Sequence, residues 1–274
     1  MYYARLKLFM NAVMDMCGDV PPAAIESGVS KCGFYGDWSN PIVRFATTRD
    51  TGRIISNSYT ILQLVAMSKL AVAVNNREDY YLYTTLLSKQ RNMFDDYYWN
   101  ETMGMYGNNQ TFVQLTSVMA LRVLYWQKEE DQNKKDGRKD EENFEENFGE
   151  NCTGVCYVAN ETRRNLTKAA LLQDIDERGG KHSVGLIGWS FLLDVLSSVN
   201  AEEVALKLLK SEEYPSLGYM LKESGDGTTL WERWERPVTN EKYVSSMNNT
   251  SLNHPMFGSV YEWLVKYYDR YNII

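Results

Sequence analysis

The chain has 274 residues and a net charge of −7, with 44% hydrophobic and 13% aromatic residues. That length buries one large core or two small ones. No basic stripe offers a surface to nucleic acid, and no apolar run reaches the ~18 residues that a membrane helix needs. In chain order, the opening MYYARLKLFMNAVMDMC is amphipathic, with Arg5 and Lys7 among its apolar positions. It lacks a signal peptide's continuous apolar stretch and small-residue cleavage site, and a helix is predicted over 3–17. Residues 18–53, rich in glycine and proline, read as loop. Helices follow over 57–75 and 77–97, separated by a short Asn-Asn turn that suits an antiparallel pair. The run 110–127 is strongly apolar. Further helices are predicted over 164–178, 184–199, 201–211 and 256–270, and the run 184–199 is apolar all round, as buried helices are. Strand signals are few and short, so the predicted class is all-α.

Between the helices predicted over 110–127 and 164–178 lies KEEDQNKKDGRKDEENFEENFGE, residues 128–150, almost free of aliphatic side chains. It buries too little apolar surface to order itself, and an acidic, disordered insertion is expected over 128–163. The cysteines are Cys17, Cys32, Cys152 and Cys156. Cys17–Cys32 and Cys152–Cys156 are the local pairings if the compartment is oxidising, with free cytosolic thiols as the other reading. Sequons at Asn100, Asn109, Asn151, Asn160, Asn165, Asn248 and Asn249 exceed chance and favour the secretory pathway. Only His182 and His254 are available as imidazoles, neither at zinc spacing from a cysteine. No metal or other cofactor is expected.

Three loops place aromatic or ionisable residues where no helical period asks for them: YGDWSNP (35–41), GTTLWERW (227–234) and SLNHPMFGS (251–259). In a domain of helical hairpins alternate connections lie at one end, so distant loops can line one cleft. Glu232 brings a carboxylate between two indoles. Trp38 with Trp231 or Trp234 offers stacking platforms, and His254 a hydrogen bond to a hydroxyl. These residue types suit a sugar site. By residue type alone the commoner reading is an ordinary capping or salt-bridged glutamate beside core tryptophans.

GTTLWERW followed by SLNHPMFGSVYEWL resembles the α-L-rhamnosidases, inverting glycoside hydrolases whose catalytic domain is an (α/α)6 barrel of six helical hairpins. YGDW resembles the mid-domain loop of that family. HSVGLIGWSFLLDVL and ALKLLKSEEYPSLGYML resemble its buried helix and the passage that leads to the glutamate motif. The resemblance implies that Glu232 is the general base, that His254 contacts rhamnose in the −1 subsite, and that Asp37 and Trp38 belong to that subsite, Trp38 as an indole wall. It implies rhamnose-containing glycans or glycosides as partners. The family's general acid is a glutamate in an Arg-containing acidic segment before a GWTGD motif. TTRDTGRI (47–54) supplies Arg49 and Asp50 without that glutamate or tryptophan. The expectation is therefore a partial (α/α)6 barrel, residues 1–274 forming the C-terminal portion of a six-hairpin domain that begins inside the barrel and is inactive alone. The rival readings are a non-catalytic carbohydrate-binding remnant and a non-functional fragment, whose open arc of helices would expose apolar flanks and self-associate.

Overall fold

The computed structural model describes residues 2–15, 36–42, 51–107, 110–125, 156–224, 229–235 and 251–271. The expected insertion lies outside them up to residue 155, as do Cys17, Cys32 and Cys152. Cys156, the one cysteine among the described residues, is disulfide-bonded.

Helix α1 (Tyr2–Val13) leads, followed by α2 (Gly52–Ala73) and α3 (Arg77–Tyr98). The α2–α3 turn follows from two asparagines. Asn75 takes φ +55°, a conformation asparagine tolerates better than most residues. Asn76 caps α3 by accepting from Asp79 N at 3.0 Å. A two-residue antiparallel ladder, β1 (Trp99–Asn100) with β2 (Met105–Tyr106), closes the next turn. Helix α4 (Val113–Ala120) is flanked by a 3-10 turn (Gln110–Phe112) and a π-helical turn (Leu121–Tyr125). Then come α5 (Glu161–Glu177), α6 (Leu186–Ser198), α7 (Glu202–Lys210) and α8 (Leu217–Ser224). A 3-10 turn (Pro255–Ser259) opens α9 (Val260–Tyr271).

Burial sorts the helices into two layers. Every residue of α4 is buried, and α6 buries residues around most of its circumference. In contrast α5 buries only Thr167, Leu171 and Ile175, one stripe at four-residue spacing. The inner helices α2, α4 and α6 pack in sequence, α3, α5 and α7 cover them one each, and α9 with its 3-10 turn packs on α6. The connections that enter α2, α4, α6 and α9 thus share one end of the arc.

Several boundaries differ from expectation. Helix α2 starts five residues before residue 57. Helix α8 has no counterpart among the predicted helices, since Pro215 and Gly218 suggest loop, yet Ser216 Oγ accepts from Tyr219 N at 2.9 Å and caps it. The expected insertion over 128–163 extends too far at its end: Asn160 accepts from Arg163 N at 3.1 Å, so 161–163 form the first turn of α5.

Candidate active site

Three loops meet at the shared end. The 36–42 loop is fastened to the start of α6. Asp37 is fully buried, and its carboxylate accepts from Gly185 N at 2.6 Å and Gly188 N at 2.9 Å. These are unpaired donors of a helix N-terminus, where negative charge is stabilised. Leu186 N donates to Trp38 O at 2.7 Å, and Asn40 Nδ2 to Ser183 O at 2.7 Å. The 229–235 and 251–254 segments run side by side: Glu232 N donates to Ser251 O at 2.9 Å and His254 N to Leu230 O at 2.8 Å.

The loops converge on the Glu232 carboxylate. Its Oε1 accepts from Trp38 Nε1 at 3.0 Å, and its Oε2 from the backbone N–H of Ser251 at 2.8 Å. Ser39 Oγ donates to Glu232 O at 2.7 Å. The carboxylate is thus oriented by donors from two loops, one of them 194 positions away. Each oxygen keeps a second lone pair, and the side chain is half-buried. The Arg233 guanidinium lies 5.9 Å from the centroid of the Trp38 ring, whose own surface stays 38% exposed. His254, also half-buried, accepts at Nδ1 from Met256 N at 3.4 Å. In the neutral ring that leaves Nε2 as the donor.

The structure separates the expected site residues into two groups. Trp38 and Glu232 are in contact, and His254 belongs to the strand-like pair that carries Glu232. Trp231 and Trp234, expected as platforms, are core residues at 5% and 0% exposure. Trp234 Nε1 donates to Val184 O at 3.0 Å, and its ring packs on His182, Trp189 and Phe257 at centroid distances of 4.3, 5.1 and 4.2 Å. Asp37, expected at the ligand, has its carboxylate occupied by the start of α6, so it positions Trp38 rather than facing a cleft. The residue that the sequence does not point to is Ser251, whose contribution is a backbone N–H that residue type cannot reveal. His182, in sequence only a possible metal ligand, is buried beneath the site between two indoles. Burial pushes its pKa down to about 3, which keeps it neutral. Among the described residues no three His, Cys, Asp or Glu side chains are grouped to hold a metal, and no helix is long and apolar enough to cross a membrane.

Burial raises the Asp37 carboxyl from 3.8 to about 6, against the opposing hydrogen bonds from α6. The folded state therefore holds this proton more tightly than the unfolded chain. The group's stabilising contribution is full below pH 3.8 and is lost as pH rises through about 6. Asp37→Asn has no proton to exchange. The melting temperature of the native protein relative to that variant should fall between pH 4 and pH 7. The fall should be equivalent to a few kcal/mol at most, since each tenfold change in proton affinity is worth roughly 1.4 kcal/mol. A difference that stays flat across this range would remove Asp37 from the pH response.

Comparison with known proteins places this geometry in context. Residues 2–268 match the family described as the bacterial alpha-L-rhamnosidase 6 hairpin glycosidase domain. An alpha-L-rhamnosidase of Formosa agariphila is 32% identical over 105 residues, which is 38% of this chain and 11% of that protein. The structure of alpha-L-rhamnosidase from Dictyoglumus thermophilum superposes with a TM-score of 0.65 and 24% identity, covering 97% of this chain and 24% of that one. The Streptomyces avermitilis alpha-L-rhamnosidase, solved in complex with L-rhamnose, gives a TM-score of 0.65 at 20% identity, covering 96% of this chain and 20% of that one. The chain thus spans about a quarter or less of the length of these proteins, and the arc of hairpins is part of a six-hairpin toroid.

Proposed function

We propose, for a chain that belongs to the bacterial α-L-rhamnosidase six-hairpin glycosidase family, hydrolysis of terminal α-L-rhamnosides with inversion at the anomeric carbon, carried out by the protein of which these residues form a part. The observation that carries this reading is the Glu232 carboxylate, oriented by Trp38 Nε1 and Ser251 N with a lone pair left on each oxygen. In a single displacement such a group accepts a proton from water while the water attacks the anomeric carbon. A general acid on the opposite face protonates the departing oxygen. Glu232 takes the base role. Trp38 holds it and presents an exposed ring to the sugar, and His254 donates from Nε2 to a sugar hydroxyl. The test is the configuration of the first-formed product. NMR of the early reaction should show β-L-rhamnose from an α-L-rhamnoside. First release of the α-anomer would overturn inversion and recast Glu232 as something other than a base.

Within residues 1–274 no residue matches the family's proton donor, and Glu232 cannot act on both faces of the ring in one displacement. Residues 1–274 alone are therefore expected not to cleave alkyl rhamnosides. Slow, Glu232-dependent cleavage is expected only for an aryl rhamnoside whose phenol leaves without protonation. Equal rates on the two substrates would place a competent acid within this sequence.

Trp38→Ala and His254→Ala are expected to weaken rhamnose binding by calorimetry. A hydrogen bond to a sugar hydroxyl contributes roughly 0.5–1.5 kcal/mol net, so His254→Ala should lower affinity about 2- to 10-fold. Unchanged affinity in both variants would show that these loops do not hold the sugar.

A further inference from the structure

Helix α6 meets the segment after His254 along a face with more polar atoms than partners among the described residues. Trp189 Nε1 and Asp194 Oδ1 on α6, and Ser259 Oγ at the end of the 3-10 turn, are all buried, and none finds a hydrogen-bond partner among the described residues. All three residues line one cavity, walled on its apolar side by Leu193, Val260 and Trp263. The cavity leaves about 10 Å3 for the centre of a water-sized sphere, room for about one water molecule.

The three atoms are chemically complementary. An indole N–H only donates, an ionised carboxylate oxygen only accepts, and a hydroxyl does either. One water accepts from Trp189 Nε1 and donates to Asp194 Oδ1. Its third bond, in either direction, goes to Ser259 Oγ. Direct pairing of one atom with another would leave the third buried and unsatisfied, which is costly. The size excludes an organic ligand. A cation does not suit the site either, because the indole nitrogen has no lone pair to give it and Lys266 Nζ already lies 3.5 Å from Asp194 Oδ2.

We propose that this cavity is the binding site of a single structural water that bridges Trp189 and Asp194 of α6 to Ser259. The bridge has a consequence at the candidate active site. Ser251 N and His254 lie on the segment that ends at Ser259, and Trp189 also packs on Trp234, three positions from Trp231 and two from Glu232. The water fixes how the 251–259 segment sits on α6. The site rests on the cavity and its polar atoms and does not depend on the reaction proposed above.

Two measurements on the full-length protein test it. A crystal structure at a resolution where ordered waters are visible should show one density peak within hydrogen-bond distance of all three atoms. An empty cavity, or a peak that reaches only one of them, would overturn the proposal. In a double-mutant cycle of Ser259→Ala and Trp189→Phe, losing either partner should release most of the bridge, so the double variant should lose less melting temperature than the two single losses combined. Strictly additive losses would show that the atoms do not share a water. Should Trp189→Phe fail to fold, Asp194→Asn takes its place in the cycle with the same two outcomes.

Discussion

Replacing Glu232 with glutamine in the full-length protein is expected to lower kcat for α-L-rhamnosides by about 10²–10⁴-fold, the usual effect of losing a general base. The fold should survive. The side chain is half-buried at a loop, and glutamine has nearly the same shape. It keeps one carbonyl oxygen for either Trp38 Nε1 or Ser251 N and turns an amide N–H₂ toward the other. That mismatch touches two hydrogen bonds, each worth about 1 kcal/mol net, so a drop of a few degrees in melting temperature is the expected limit. KM should move far less than kcat, because the base acts on water and not on the bound sugar. Retention of more than a tenth of the wild-type kcat would take Glu232 out of the mechanism. Azide supplies a nucleophile that needs no deprotonation. It should therefore restore turnover to Glu232→Ala with a β-rhamnosyl azide as product, whereas a variant that has merely lost its fold would not respond.

The glutamate is legible in the sequence because it sits in an aromatic motif with no helical period. What holds it is not. Ser251 acts through its backbone N–H, which depends on how two loops register and not on which side chain stands there. The same limit explains the indoles. Trp231 and Trp234 look like cleft residues because they occur in a loop, but a loop that crosses the end of an inner helix can be as buried as the helix. Trp234 is sealed by His182, Trp189 and Phe257, which come from two other stretches of chain. Asp37, placed at the sugar by the resemblance of its YGDW loop, is instead taken up by the backbone at the start of α6, a contact between stretches about 150 positions apart. The helices read better. Their apolar periods are long, and the run read as apolar all round, 184–199, contains the inner helix α6. Helix α8, eight residues long and preceded by Pro215, offers no period to read.

Gly185→Ala is expected to be the most damaging single methyl in the described structure. Gly185 stands at the N-cap of α6 with an extended backbone, φ −86° and ψ −158°, so no glycine-only conformation is required and the objection is steric. A Cβ there would lie 2.1 Å from Trp38 O and 2.6 Å from Asp37 O. Both obstacles are backbone, held by the bond from Leu186 N to Trp38 O and by those from α6 to the Asp37 carboxylate. They cannot rotate away as a side chain would. Either the 36–42 loop lifts from α6 or the helix start unwinds. Overpacking in a core costs about 1–3 kcal/mol, and a clash with two fixed carbonyls belongs at the upper end of that range or beyond it. If the loop lifts, Trp38 leaves Glu232 and the carboxylate loses its indole donor, so rhamnoside cleavage should fall together with melting temperature. Gly258→Ala is the control. It places its Cβ with nothing within 4 Å, on the same end of the arc, and should behave like the native protein in both measurements. Equal melting temperatures for Gly185→Ala and Gly258→Ala would mean that the loop bearing Trp38 is not seated against α6, and with it would fall the account of how Glu232 is oriented.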